Sequence, residues 1–197
     1  MRFKLFGTEV YISFLFMGVI TLMLCFDKTG FILPTLFAVF IHEFGHLFMM
    51  WATGETPKKI RLIPASVQIV SSFSGGYKKD VLVALSGPVV NFVFFGVLYY
   101  NYACFGNKTT LFFSVLNLII GIFNLMPVRG LDGGTVVFSV LSRFWSPDKA
   151  LRCLRRLTFG LGIFALVGAV ILSLNGRFNT SLYIMALYLI ITALIKT

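Results

Sequence analysis

The two histidines of the chain, His42 and His46, belong to one short motif, His-Glu-x-x-His, which also contains Glu43. Residues four positions apart lie on one face of an α-helix, so both imidazoles can bind the same metal ion. A glutamate beside the first ligand can accept a proton from a water molecule at that metal. The motif therefore predicts one Zn²⁺ ion, with His42 and His46 as ligands and Glu43 as general base. The alternative is structural: the histidines would bond to neighbouring helices and Glu43 would be neutral.

A catalytic zinc ion has three protein ligands and one open position, so this site needs a third ligand. The chain has no third histidine, and although a cysteine is possible, the best candidate is the carboxylate of Asp132. Asp132 lies in residues 124–134, where Pro127 and three glycines are typical of a turn that interrupts a helix. An alternative role for Asp132, a turn residue that caps the following helix, is compatible with metal binding.

Long apolar segments must position these residues. Of the chain, 58% is hydrophobic and only 12% is charged, against about 45–50% and about 25% in soluble proteins. Six apolar runs approach the roughly 17–25 residues that cross a bilayer as a helix; they are residues 10–26, 31–53, 81–105, 111–128, 158–174 and 178–195. Residues 56–77 are rich in β-branched residues, proline and glycine, which favours a short hairpin or extended segment. The predicted fold is an all-α polytopic membrane protein of about six transmembrane helices, with a short interfacial β segment between the second and third.

The basic residues predict how the chain is oriented. Fourteen of the 17 Lys and Arg residues fall on one side of six crossings, which places both termini in the cytoplasm. The cluster Arg152, Arg155 and Arg156 is interpreted as a contact with anionic lipids of the bilayer. Basic and aromatic residues are not interleaved on a soluble face, so the net charge of +10 does not indicate nucleic acid as a partner.

The same topology predicts that Asp132 and the histidines lie at one depth. The second and fourth runs cross in the same direction, and His46 lies about 10 Å of helix before the cytoplasmic end of its run. A helix that begins near Leu111 descends about 24 Å by Met126, where Pro127 ends it. Asp132 is therefore expected in the cytoplasmic half of the membrane, beside the two histidines.

Three motifs together resemble one known family. The motif His-Glu-x-x-His at residues 42–46, followed by Asn-x-x-Pro-x-x-x-x-Asp-Gly at residues 124–133, resembles the site-2 protease family of intramembrane zinc metalloproteases. Between them, Gly-Pro-x-x-Asn at residues 87–91 is similar to a further element of that family. By its residues alone, this element indicates a close-packed helix with one polar group facing the protein core.

The resemblance implies a catalytic core at about residues 31–134, within a single membrane-embedded metalloprotease domain of residues 1–197. It implies that the zinc ion is reached from the cytoplasm and that the substrates are membrane-anchored proteins, cut within or near the bilayer. Asn124 would then bind substrate, and Asn91 would have either a substrate-binding or a structural role.

The chain has no length for a PDZ domain, so its compact six-span form is more similar to the stage IV sporulation protein FB type than to family members with a PDZ domain. It differs from the FB type in having no CBS domain. This similarity implies a bacterial cell membrane as the location and a substrate such as a pro-sigma factor or another regulatory protein of sporulation, with membrane proteins as regulators.

Two other classes of function compete with a protease. A membrane metal-ion transporter predicts ligands in both halves of a repeat and access from both faces, and the sequence has no second ligand cluster and no inverted repeat. A non-catalytic membrane scaffold would not need Glu43, which is present.

Overall fold

The computed structural model describes residues 2–5, 8–28, 30–55, 57–63, 66–71, 76–176 and 178–194. The chain divides into two compact units, Met1–Phe123 and Asn124–Thr197, and each is described by itself.

The first unit combines four strands with four helices. In chain order its elements are β1 (Arg2–Leu5), β2 (Thr8–Ile12), α1 (Phe14–Phe26), α2 (Ile32–Ala52), β3 (Pro57–Ile63), β4 (Ser66–Ser71), α3 (Tyr77–Phe105) and α4 (Lys108–Asn124). Asp27 begins the turn before α2, because its two carboxylate oxygens accept the backbone N–H groups of Gly30 and Ile32, each at 2.9 Å. Gly106 ends α3 in the left-handed conformation, with φ of 67°, and its N–H donates to the carbonyl oxygen of Tyr102.

The strands form one sheet in the order β1-β2-β3-β4. The outer pairs are antiparallel, whereas β2 and β3 are parallel. Strands β3 and β4 confirm the β segment that was predicted between the second and third apolar runs. The prediction that residues 10–12 begin the first transmembrane helix is wrong, because they pair with β3 and the helix begins only at Phe14.

The second unit contains three helices, α5 (Asp132–Ser142), α6 (Pro147–Leu174) and α7 (Thr180–Leu194). Small side chains bring α6 and α7 together: Ala169 and Ala186 are buried, and a Cβ at Gly162 would lie 2.8 Å from Cγ1 of Ile190. The guanidinium of Arg155 donates to the carbonyl oxygens of Ala193 and Leu194, where a cation stabilises the end of a helix.

The segment between the fourth and fifth apolar runs, residues 129–157, was predicted to be a loop. Most of it is helical. Helix α5 is too short to be recognised as a span, and α6 begins at Pro147, in the first turn where proline is favoured. The three arginines of the basic cluster therefore lie on α6 and not in a loop.

The helices have the length and surface of a membrane protein. Helices α2, α3 and α6 are long and apolar enough to cross a bilayer, and the apolar helices α1, α4 and α7 have 13, 17 and 15 residues. On α2, the large side chains of Phe40, Phe44, Phe48 and Trp51 are exposed, which suits contact with lipid and not with water. The protein is an integral membrane protein, and its predicted all-α class is confirmed. Ile195, the predicted end of the last span, lies outside the described residues.

Candidate metal centre

The two histidines lie on the buried face of α2. The buried residues of this helix recur every three or four positions, and His42 and His46 are 4% and 7% exposed. Their Nε2 atoms are 3.1 Å apart, and their rings are nearly perpendicular, at 84°. One turn of helix therefore directs two imidazole nitrogens towards a common point.

The other nitrogen of each ring is held by an oxygen acceptor on α3. His42 Nδ1 lies 2.6 Å from Oδ1 of Asn91, and His46 Nδ1 lies 2.7 Å from the carbonyl oxygen of Val83. An oxygen of this kind only accepts hydrogen bonds, so each Nδ1 carries the hydrogen and donates it. Each Nε2 then keeps its lone pair, which is the form in which neutral histidine binds a metal.

The distance between the two Nε2 atoms fits a metal ion. Two lone pairs 3.1 Å apart repel each other unless a cation lies between them. Tetrahedral Zn²⁺ with bonds of about 2.0–2.1 Å would separate two nitrogen ligands by about 3.3 Å. The donor set and its spacing therefore fit zinc.

The close approach of α2 and α3 depends on two glycines. A Cβ on Gly45 would lie 2.9 Å from the carbonyl oxygen of Ser86. A Cβ on Gly87 would lie 2.6 Å from Cε1 of His46 and 2.8 Å from Cε1 of His42. The close packing predicted for residues 87–91 is confirmed, and Gly87 is a site residue whose role the sequence did not reveal.

Glu43 and Asn91, two other predicted site residues of this unit, differ in how deeply they are buried. Glu43 is half-buried on α2, between the face that holds His42 and the exposed Phe44. Asn91 is fully buried, and its side chain bonds to His42 and to Asn117 of α4. These bonds suit the structural role that the sequence left open for Asn91, whereas its substrate-binding role stays a prediction.

The residues 124–133 fold as a tight turn within the second unit. Asn124 lies where α4 ends, and Asp132 is the half-buried first residue of α5. Gly133 faces the carbonyl oxygen of Leu125, which a Cβ there would overlap. The glycine after Asp132 thus lets the turn fold back against the start of α5.

Thr158, the first residue of the fifth apolar run, supports this turn. Thr158 is fully buried in α6, and its hydroxyl accepts the backbone N–H of Arg129 at 3.4 Å while it donates to the carbonyl oxygen of Leu154 at 3.0 Å. The sequence around Thr158 does not indicate which distant backbone group its hydroxyl bonds, so this role was not predicted.

His42 and His46 offer imidazole nitrogens and Asp132 offers a carboxylate oxygen, which are donor types that Zn²⁺ binds. The chain also matches known proteins. The model of peptidase family M50 matches residues 106–168, which include the turn that carries Asp132. A curated zinc metalloprotease of Methanocaldococcus jannaschii is 26% identical over 186 residues, which cover 88% of this chain and 54% of that protein. The chain thus spans about half the length of the curated relative it matches.

The fold is also found in a solved structure. A site-2 protease from Methanocaldococcus jannaschii superposes with a TM-score of 0.71 at 22% identity, and the match covers 100% of this chain and 97% of that one. The family match, the curated relative and the shared fold all support the resemblance to the site-2 protease family that was drawn from the motifs.

Proposed function

We propose that the protein is an intramembrane zinc metalloprotease that hydrolyses peptide bonds of membrane-anchored proteins, within or near the cytoplasmic half of the bilayer. The observation that carries the proposal is the pair of Nε2 atoms, 3.1 Å apart on a helix long and apolar enough to cross a membrane. A hydrolytic metal site needs such oriented donors, and the similarity to peptidase family M50 and to a curated zinc metalloprotease supports proteolysis as the reaction.

In this proposal His42, His46 and Asp132 hold the ion. When bound, Zn²⁺ supplies a Lewis acid that polarises the scissile carbonyl and promotes loss of a proton from water. The hydrogen bonds from both Nδ1 atoms keep the imidazoles in the orientation and tautomer that ligation requires.

Glu43 moves the proton. Because Glu43 directly follows the ligand His42, its carboxylate lies next to the site of the attacking water. It accepts the proton of that water and then delivers it to the leaving amide nitrogen. Its half-buried position on α2 places this carboxylate at the edge of the face that carries the histidines. Asn124 orients the extended substrate strand, and substrate helices unwind near the cleavage site.

The biological setting is part of the same proposal. We expect a single metalloprotease domain of residues 1–197 in a bacterial cell membrane, with both termini in the cytoplasm and a core at about residues 31–134. The substrate class is membrane-anchored regulatory proteins, such as a pro-sigma factor in sporulation, and membrane proteins regulate the enzyme.

The test is cleavage of candidate single-span substrates that are reconstituted with the protein, with products identified by mass spectrometry and zinc measured in the same sample. Glu43→Gln should lower cleavage by about 10²–10⁴-fold and keep the zinc, because it removes only the base. Asp132→Asn should lose zinc as well as cleavage. Glu9→Gln is the matched control, since Glu9 pairs with Lys59 at an exposed site on the sheet, and it should cleave normally.

Wild-type cleavage by Glu43→Gln would refute the assignment of the base. Full zinc content in Asp132→Asn would refute the third ligand. Zinc movement across the vesicle membrane without any cleavage would favour the transporter instead.

A further inference from the structure

We propose that two buried amides, Asn91 and Asn117, act as positioning residues that fix the tautomer of His42. Asn117 lies on α4 and Asn91 on α3, and together they link His42 on α2 to a backbone carbonyl on α4. This pair is called the amide relay. It rests on the proposed role of His42 as a zinc ligand and adds the residues that prepare His42 for it.

The direction of the relay is set at Asn117. The side-chain NH₂ of Asn117 donates to the carbonyl oxygen of Phe113 at 2.9 Å. A carbonyl oxygen cannot donate, so the opposite orientation of this amide would place two acceptors against each other. The Oδ1 atom of Asn117 must therefore face α3, where it accepts.

The second amide passes this direction to the histidine. The NH₂ group of Asn91 donates to Oδ1 of Asn117 at 2.9 Å and lies 3.4 Å from the carbonyl oxygen of Ala38. Both neighbours are acceptors, so the NH₂ group must face them and Oδ1 must face His42. Asn91 is 0% exposed and Asn117 is 3% exposed, so water offers neither amide a compensating partner.

The consequence for His42 is a fixed proton position. Oδ1 of Asn91 lies 2.6 Å from His42 Nδ1 and can only accept, so Nδ1 carries the hydrogen. Nε2 then keeps a lone pair that points towards Nε2 of His46. The carbonyl oxygen of Phe113 thus orients both amides, and these keep His42 in the tautomer that can bind a metal through Nε2.

His46 provides a comparison within the same site. Its Nδ1 donates to the backbone carbonyl oxygen of Val83, which no side-chain substitution removes. The Nδ1 partner of His42 is a side chain, whereas that of His46 is a backbone group. Substitutions in the relay should therefore affect one histidine and leave the other unchanged.

The experiment uses selective ¹⁵N labelling of histidine in the full chain. With only two histidines there are four ring nitrogen signals, whose chemical shifts distinguish the two neutral tautomers. Spectra are recorded on zinc-free protein at alkaline pH, where imidazole is neutral. Zinc affinity is measured separately, by competition with a chelator.

Asn91→Leu removes the acceptor at His42. We expect the His42 signals to move from the Nδ1–H tautomer to a mixture, the His46 signals to stay, and zinc to bind about 10–100-fold more weakly. Asn117→Leu should shift the His42 signals in the same direction but less, because Asn91 remains and only its orientation is freed.

Two further variants separate the relay from general damage. Asn91→Asp is the conservative rescue for His42, because a carboxylate oxygen at position 91 still accepts the hydrogen bond from Nδ1. Ser114→Ala is the matched control: Ser114 is also buried on α4 and bonds to the Phe95 carbonyl oxygen of α3, yet it does not touch the relay. Both should keep the wild-type His42 tautomer.

Unchanged His42 signals in Asn91→Leu would overturn the relay, and so would equal shifts of both histidines or an Asn91→Asp variant that behaves like Asn91→Leu. The tautomer measurement needs no zinc, so it stands apart from the proposed function. If wild-type protein binds no zinc but the His42 signals respond as expected, the proposed function fails and the relay stands.

Discussion

The substitution Gly87→Ala tests how closely α3 supports the two histidines. Its Cβ would lie 2.6 Å from Cε1 of His46, whereas Cβ atoms in proteins essentially never come within 3.0 Å of another heavy atom, so the ring would have to move by at least about 0.4 Å. The His42 ring, at 2.8 Å, would have to move by at least about 0.2 Å. Ligand positions in metal sites tolerate only about 0.2 Å, so we expect zinc affinity to fall at least tenfold. Overpacking should also cost about 1–3 kcal/mol of stability.

The control is the same substitution at Gly96, farther along α3. A Cβ there meets no atom of the described residues within 4 Å, so Gly96→Ala should leave zinc affinity unchanged and stabilise the helix by about 0.5–1 kcal/mol. The assay is chelator competition together with thermal unfolding in detergent. Wild-type zinc affinity in Gly87→Ala, or an equal loss in Gly96→Ala, would refute the argument from packing.

Two further predictions concern the second unit, each measured as thermal unfolding in detergent. Gly133→Ala should destabilise the protein by at least about 1–3 kcal/mol, because its Cβ would overlap the carbonyl oxygen of Leu125. Gly168→Ala is the control and should not destabilise it, since a Cβ there has no described atom within 4 Å. Equal stability of the two variants would contradict this prediction. Thr158→Val keeps the side-chain volume but removes the hydroxyl that accepts from Arg129, so we expect a loss of about 1–3 kcal/mol, and an unchanged melting temperature would show that this bond is not needed.

The parts that the sequence predicted correctly depend on local spacing. His42 and His46 share a face because any α-helix repeats every 3.6 residues, whatever surrounds it. The β segment between the second and third apolar runs was also predictable, since prolines and glycines there bound short runs of β-branched residues.

The parts that the sequence did not predict depend on contacts between elements. Asn117 is one of a few polar residues in an apolar run, and only its position opposite Asn91 gives it a role. Gly87 resembles any small residue in a membrane helix until two imidazoles are packed against it. Residues 10–12 of strand β2 are as apolar as those that follow, so the sequence assigns them to the first helix, and only their pairing with β3 distinguishes them.

The parallel pairing of β2 with β3 has a consequence for synthesis of the chain. Glu9 pairs beside Lys59, with α1 and α2 between the two strands, so the sheet cannot close until both helices have been made. At about 5–20 residues per second, the ribosome needs several seconds to cover that interval. During this time the β1–β2 ribbon is a two-stranded hairpin of marginal stability with an open edge. The sheet therefore closes only after α1, α2 and β3 have been translated.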